Sequence, residues 1–333
     1  MIVIIGASGF IGTYLADDLL SQGYEVVATG RNARAKEYFD GRGVKFVDVD
    51  ISKSSDFEKL PKTGVEAVVL LAALLPANTK ENDPYDYVDI NIKGTLNVLE
   101  YCRKNGVKKL ISTTSYADVR NFWSKDKAIP ADSLRNYSLA DDHAAYVISK
   151  NAASDFIELY NNMYGMRGVV FRFPMVYGYG PHSELFANGK WYKSGFQIFI
   201  DKAVAGEDIE IYGDENTSRD VVYIKDVTKA FIQAIRSDNA KGMYNISSGV
   251  GLTLQEQVEA TIEVYSTGKK SRIINSPEKP NKSKSFLFDI SKANKDFGYK
   301  PEYVPFINLL IDYKKESELK RFPHLTNHYK ETK

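Results

Sequence analysis

Tyr146 and Lys150 stand four residues apart in the run Ala145-Tyr146-Val147-Ile148-Ser149-Lys150. On a helix that spacing puts both on one face, within reach of each other. A phenol with an ordinary pKa of about 10 is a weak acid–base catalyst near neutrality. A neighbouring ammonium favours the phenolate and draws that pKa toward a working range. The lysine can also hold ribose hydroxyls, so one residue orients a nucleotide and tunes the catalyst. Upstream, Leu110-Ile111-Ser112-Thr113-Thr114-Ser115 ends an apolar run in hydroxyls. Such groups donate to a substrate oxygen or satisfy the backbone of a turn. Ser115 is taken as the substrate-facing one and Thr114 as its alternate. Tyrosine and lysine at this spacing also occur by chance on amphipathic helices, so the surroundings decide their meaning.

The first surrounding is Met1 to Gly23. Ile2-Val3-Ile4-Ile5 reads as a strand buried on both faces, followed by Gly6, Gly9 and Gly12. From Phe10, the residues Phe10, Ile11, Tyr14, Leu15 and Leu19 recur at helical spacing. A glycine-rich turn from a buried strand into a helix N-terminus is an anion site. The backbone approaches closely, free N–H groups point at the ligand, and the helix dipole favours negative charge. A dinucleotide pyrophosphate is the usual occupant. Gly6, Ser8, Gly9, Phe10, Ile11 and Gly12 are its expected contacts.

Strand-like and helix-like segments alternate from there to Phe173. The strands are Glu25–Thr29, Val44–Asp48, Ala67–Leu71, Lys109–Thr113 and Gly168–Phe173. Helices are expected over Ala33–Asp40, Ser55–Leu60, Pro84–Asn105 and Asp141–Tyr164. This repetition forces right-handed crossovers and a doubly wound parallel sheet, an α/β fold. Ligands then sit beyond the carboxyl ends of the strands, where Gly6, Ala72, Ser115 and Pro174 fall.

Past Tyr177 the pattern loosens. Pro181 to Ser194 reads as a polar loop, followed by a helix over Phe196–Ala205 and strands over Ile209–Tyr212 and Asp220–Ile224. The expected division is a nucleotide-binding domain over 1–176, joined by 219–237. A smaller mixed α/β lobe spans 177–218 and 238–322, and a loosely held tail covers 323–333. The last helix is expected to run to about Arg321.

The totals exclude several classes. The chain has 333 residues, a net charge of +1 and one cysteine. Nothing marks a nucleic-acid or membrane surface, and an internal disulfide is impossible. Cys102, among Val98, Leu99 and Tyr101, reads as a buried structural thiol. The N-terminal apolar run is too short for a signal peptide, and Ala67–Leu75 is far below a membrane span. A cytoplasmic protein without a metal centre is expected.

The end of the second strand reads Thr29-Gly30-Arg31-Asn32, where an NAD site usually carries an acid for the ribose 2′-hydroxyl. Arg31 suits a 2′-phosphate by charge and by its fork of donors, or is a solvated surface arginine. NADP(H) is therefore favoured, with NAD(H) as the alternative. Asp50 and Ile51 are placed to flank the adenine, although Asp50 could equally cap a helix.

Together these residues resemble the extended short-chain dehydrogenase/reductases. The motifs are Gly6-Ala7-Ser8-Gly9-Phe10-Ile11-Gly12, Ala72-Ala73, Asn91-Ile92-Lys93-Gly94-Thr95, the hydroxyl cluster and Tyr146-xxx-Lys150. More narrowly, the chain is similar to the NAD-dependent epimerase/dehydratase family acting on nucleotide sugars. Arg172, Val176-Tyr177-Gly178, Ile211-Tyr212-Gly213-Asp214, Ser218-Arg219-Asp220, Tyr244-Asn245-Ile246 and Asp289-Ile290-Ser291-Lys292-Ala293 agree. The likeness runs from Met1 to about Tyr313. It implies a Rossmann-type domain with a substrate lobe and a catalytic trio of Ser115, Tyr146 and Lys150. It also implies Ala72, Ala73 and Pro174 beside the cofactor, Arg219 on the substrate diphosphate, a structural Asn91 and a homodimer through the helices near Asp86–Tyr101 and Asp141–Tyr164. On sequence alone Arg219-Asp220 could also be a surface ion pair.

The departures narrow the reaction. Tyr116 and Ala117 stand where dehydratases of the family carry an Asp-Glu pair, which argues against water elimination. Met175 replaces a substrate-binding asparagine. The segment between Ser115 and Tyr146 is longer than usual and carries Arg120, Asn121, Phe122, Trp123 and His143, so the substrate mouth is expected to be remodelled. His143 touches substrate or is a plain surface histidine. The reading favoured by Arg31 is a nucleotide 4-keto-sugar reductase. A 4-epimerase with tightly bound NAD is the first alternative. A non-sugar ketone reductase and a non-catalytic NADP-binding regulator are further ones.

Overall fold

The computed structural model describes residues 1–78, 83–140, 143–180, 183–187, 190–281 and 283–326. β1 (Ile2–Ile5) is buried along its length, and its side chains divide between two cores. Ile2 and Ile4 enter one, Val3 and Ile5 the other. The same division holds for β2 (Val26–Gly30), β4 (Ala67–Leu70) and β5 (Lys109–Ser115). A sheet covered on both faces requires this, which is why β1 and β4 lack a polar face. Each fully buried Ile or Val contributes about 1.5–3 kcal/mol.

With β3 (Lys45–Asp48), β6 (Arg167–Phe173) and β12 (Gly242–Asn245), these strands form a parallel sheet in the order β12-β6-β5-β4-β1-β2-β3. The order reverses between β1 and β4, which opens a crevice at their carboxyl ends. One face is covered by α1 (Phe10–Ser21), α2 (Ala33–Asp40), α7 (Ile224–Arg236) and α9 (Ser291–Phe297). The 3₁₀ turn Ser54–Lys59, α4 (Gly94–Lys104) and α5 (Ala144–Tyr164) cover the other.

The helix expected over Pro84–Asn105 forms in three segments: α3 (Pro84–Tyr87), a π-helical stretch Val88–Lys93, and α4. The wide turn presents Asn91, whose carboxamide accepts from Leu74 N at 2.7 Å and donates to Leu74 O at 3.1 Å and to Ser149 Oγ at 2.9 Å. Asn91 thereby ties the loop after β4 to α5, one residue before Lys150. The helix expected from Asp141 is described from Ala144; residues 141 and 142 lie outside the described residues.

A third core holds the remaining elements together. β7 (Met175–Tyr177) pairs in parallel with β11 (Ser218–Tyr223), which pairs antiparallel with β13 (Gly251–Thr253). β10 (Ile209–Tyr212) pairs with β14 (Ile273–Ser276). Ile200 of α6 (Gly195–Ala205), Val258 of α8 (Leu254–Tyr265) and Leu309 of α10 (Phe306–Leu319) are buried between them.

Three expectations need correction. The stretch read as a polar loop after Pro181 contains a hairpin of β8 (Glu184–Ala187) and β9 (Lys190–Lys193). The intervening Asn188-Gly189 is the dipeptide that favours two-residue hairpins. The stretch 238–322 does not all belong with the lobe: β12 joins the main sheet, and Ala240, Tyr244, Ile246, Ala293 and Tyr299 enter the core shared with α1 and α7. Finally, α10 ends at Leu319, not Arg321. Lys320 turns the chain at φ 46°, and α11 (Pro323–Thr326) follows with Phe322 and Leu325 buried. The segment is therefore docked as far as 326. No helix among the described residues is long and apolar enough to cross a membrane.

Candidate active site

Every residue assigned above to cofactor or substrate lines one cleft of about 1790 Å³ at the carboxyl edge of the sheet. A single small-molecule pocket has roughly 300–1,000 Å³, so this cleft has room for a dinucleotide and a second ligand.

At its inner end the glycine turn lies hard against β4. A Cβ on Gly6, where φ is +94°, would sit 2.6 Å from Ala72 N, and one on Gly12 would sit 2.4 Å from Gly6 O. Only glycine permits this approach. Gly9 N-caps α1 with no side-chain cap, which leaves the first amides of the helix to a ligand. The turn therefore fits a pyrophosphate. Ser8 packs under Gly30, where any side chain would collide with Ser8 Oγ.

At the outer end Arg31 is exposed, with its guanidinium 3.6 Å from Asp50 Oδ2. Asp50 also accepts from Ser52 N at 3.1 Å and Ser52 Oγ at 2.7 Å, so it acts as a turn cap as well as lining the cleft. Burial opposes its ionisation, yet Ser52, Arg31 and Lys53 hold the carboxyl below its ordinary range. Asn32, beside Arg31, caps α2 through Arg34 N and Ala35 N. Ala72 and Ala73 line the cleft on the loop that Asn91 pins.

The groups expected to be reactive come from two elements. Ser115 ends β5, and its Oγ accepts from Ala117 N at 3.2 Å, which leaves the hydroxyl proton free to donate. Thr114 Oγ1 is buried without a hydrogen-bond partner among the described residues. Tyr146 and Lys150 project from the first turns of α5, with the Tyr146 ring 6.3 Å from that of Tyr87. The expected tuning of tyrosine by lysine is not what the protein's own groups produce. Burial first, then Tyr87 and Tyr116, push the Tyr146 phenol above its ordinary value. Lys150 is buried, its Nζ makes no hydrogen bond or ion pair among the described residues, and desolvation pushes it down to about 8. Low dielectric holds both groups toward their neutral forms.

That shift carries a pH signature. The unfolded chain keeps the Lys150 proton up to its ordinary pKa of 10.5, while the folded chain releases it near 8. Between those values the unfolded state binds more protons, so stability rises with pH, by roughly 3 kcal/mol in all for this one group. Below pH 8 its contribution is flat. Lys150→Met is expected to remove that rise, read as the difference in Tm between variant and parent from pH 7 to 10. A constant difference across that range would contradict the assignment.

The end of the cleft assigned above to substrate is built by β7 and β11. Arg219 lines the cleft, and its guanidinium makes no hydrogen bond or ion pair among the described residues. Its neighbour Asp220 points the other way, fully buried, accepting from Ser248 N, Ser248 Oγ and Phe288 N. Arg219-Asp220 is thus no surface ion pair. Pro174 and Met175 line the cleft between β6 and β7.

The stretch expected to remodel the mouth centres on Tyr116. Its ring stacks flat on Trp123, 5.1 Å apart at 5°, and lies 5.4 Å from Phe286. Tyr116 lines the cleft while Val119, Ile129, Phe286 and Phe288 pack behind it. Arg120 lies 5.5 Å over Trp123. Phe122 and His143 are exposed and stand outside the lining, and Asn121 pairs with Asn136. Sequence reasoning missed Gln257, Ser283, Tyr313 and Leu325, which also line the cleft. They lie far along the chain in stretches without a local motif.

A parallel sheet with a glycine turn at its switch point and a Tyr-Lys pair beside it defines a dinucleotide-dependent enzyme fold of the short-chain dehydrogenase/reductase type. The NAD dependent epimerase/dehydratase family matches residues 2–247, and the chain belongs to it. UDP-glucose 4-epimerase of Mycolicibacterium smegmatis is 28% identical over 261 residues, 76% of this chain and 79% of its own length. UDP-glucose 4-epimerase of Thermotoga maritima, solved with UDP-glucose, superposes with a TM-score of 0.74 at 25% identity, covering 95% of this chain and 99% of that one. UDP-glucose 4-epimerase of Thermus thermophilus, in complex with NAD, gives 0.72 at 25% identity over 94% and 98%.

Proposed function

We propose that this protein is a nucleotide-sugar 4-epimerase that retains NAD. What supports the reading is the convergence of Ser115, Tyr146, Lys150 and Arg219 on the cleft closed by the glycine turn, in a chain similar along most of its length to UDP-glucose 4-epimerases. The reductase preference and the NADP(H) preference both rested on Arg31. Its guanidinium faces Asp50, which offsets the charge offered to a 2′-phosphate, and a structural neighbour at 25% identity is in complex with NAD. Arg31 therefore carries neither preference.

The turn from Gly6 to Gly12 and the amides of α1 would hold the pyrophosphate, with Asp50 and Ile51 at the adenosine end and Lys150 on the nicotinamide ribose. When bound, the nicotinamide supplies hydride acceptance and return. Tyr146 takes the proton of the sugar C4 hydroxyl as the C4 hydride departs, leaving a 4-keto sugar. Ser115 donates to the carbonyl oxygen that forms. Arg219 holds the diphosphate while the sugar presents its other face. Tyr146 then gives the proton back to the C4 oxygen as hydride re-enters C4 on the other face, so the configuration is inverted and nothing is oxidised or reduced overall.

The test is incubation of the purified protein with UDP-glucose and UDP-N-acetylglucosamine, with chromatography of the products. Formation of a 4-epimer without net consumption of NADH or NADPH is expected. NADPH oxidation by a nucleotide 4-keto sugar, with no epimer formed, would restore the reductase reading. The same preparation, passed over a light-scattering column, should elute as a homodimer. Tyr85, Val88, Ile148, Leu159 and Met163, among the exposed apolar residues of α3 to α5, support this assembly.

A further inference from the structure

Residues 321–326, beyond α10, take no part in the reaction just described, yet Phe322, His324 and Leu325 are buried. Arg321 bridges Asp17 Oδ2 at 2.7 Å and Glu316 Oε1 at 2.9 Å, joining α1 to α10. The Phe322 ring meets Tyr14 of α1 edge-on at 4.6 Å and Tyr38 of α2 at 5.9 Å. His324 lies 4.4 Å from the Tyr38 ring, and its Nε2 is 3.1 Å from Thr13 Oγ1. Thr13 Oγ1 also donates to Ala7 O at 3.1 Å. A hydroxyl has one proton, so Thr13 accepts from a protonated Nε2. The histidine is thereby linked, through one hydroxyl, to the carbonyl between Gly6 and Ser8. Leu325 follows, 2% exposed, and lines the cleft itself.

We propose that residues 321–326 form the outer wall of the dinucleotide half of the cleft and set how slowly the cofactor leaves it. The proposal rests on the cofactor reading above. Leu325 supplies contact surface, and His324 is a positioning residue that acts through Thr13 on the turn. The wall is tied to α1 by an ion pair, an aromatic contact and a hydrogen bond, and to α2 by ring contacts. Release of a dinucleotide lying between the turn and α2 requires those ties to part together. Contacts that act in this way alter the dissociation rate more than the association rate. An enzyme that returns hydride to the sugar it was taken from needs its cofactor to stay between the two half-reactions, which is what a slow exit provides.

The experiment follows release of NADH from the full-length protein by its fluorescence after dilution into excess NAD. L325A and H324A are expected to release NADH about tenfold faster than the parent. H324Q, which keeps an N–H donor for Thr13, is expected to stay near the parental rate, and so is the volume-conserving L325M. Melting temperatures are measured alongside. A merely structural segment would lower Tm in H324A and H324Q alike without separating their release rates. Parental release rates in both L325A and H324A would overturn the proposal. A parent protein that binds neither NAD(H) nor NADP(H) would instead overturn the cofactor reading on which it stands.

Discussion

Tyr146→Phe is expected to lower kcat for epimerisation by about 10³-fold with little change in KM or in bound cofactor. The substitution removes one oxygen and keeps the ring that packs against Tyr87. The lost function is a positioned proton acceptor, and such groups contribute about 10²–10⁴ in rate. Neither Ser115 nor Thr114 can replace it, because a hydroxyl of ordinary acidity is a far weaker base than a phenolate. The Tyr146 phenol is held above its ordinary value by burial, Tyr87 and Tyr116, so on the proposed function positive charge beside it, from Lys150 and from the bound cofactor, would favour the phenolate. Steady-state rates of UDP-sugar interconversion, with cofactor content measured on the same samples, decide the matter. A variant retaining a tenth of the parental kcat would remove Tyr146 from the chemistry.

Arg172→Met is expected to destabilise the fold by about 3–5 kcal/mol. Arg172 and Asp118 are each 1% exposed and face each other through paired hydrogen bonds of 2.9 Å from Nε and Nη2. Nη1 also donates to Ala131 O at 3.1 Å and Asn245 Oδ1 at 3.0 Å. The cluster joins β6 and β12 to the turn that follows Ser115. Removing the guanidinium leaves a buried carboxylate whose pKa burial already raises against the pull of Arg172. Asp118→Asn in the same chain should recover part of the loss, because the uncompensated charge is then gone. Urea unfolding midpoints of the single and double variants measure both effects. A loss below about 1 kcal/mol for the single variant would mean that the pair is dispensable.

What was legible in the sequence is what is local. The strand, glycine turn and helix from Ile2 to Ser21 follow from adjacent residues, and the alternation of strands and helices to Phe173 implies the parallel sheet. Tyr146 and Lys150 were found because four residues make one helical step. The Asp118–Arg172 pair was not, since 54 residues separate partners that meet only when β5 and β6 lie side by side. β12 has four residues and begins with a glycine, so its place beside β6 depends on tertiary packing. The segment after Leu319 reads as polar because Lys, Arg and His surround Phe322 and Leu325, yet those two apolar side chains decide where it docks. The direction of the Lys150 shift was hidden for a related reason. Spacing shows which groups are near each other but not how much water reaches them.

The flat contact between Tyr116 and Trp123 has an optical consequence. The chain contains two tryptophans, Trp123 and Trp191, and the first is an indole held against a wall of the cleft. On the proposed function, a sugar settling beside Tyr116 is expected to alter the polarity and quenching felt by that indole. With Trp191→Phe, which leaves Trp123 as the remaining indole, a titration is expected to be readable in native solution by emission alone, without a dye or a coupled assay.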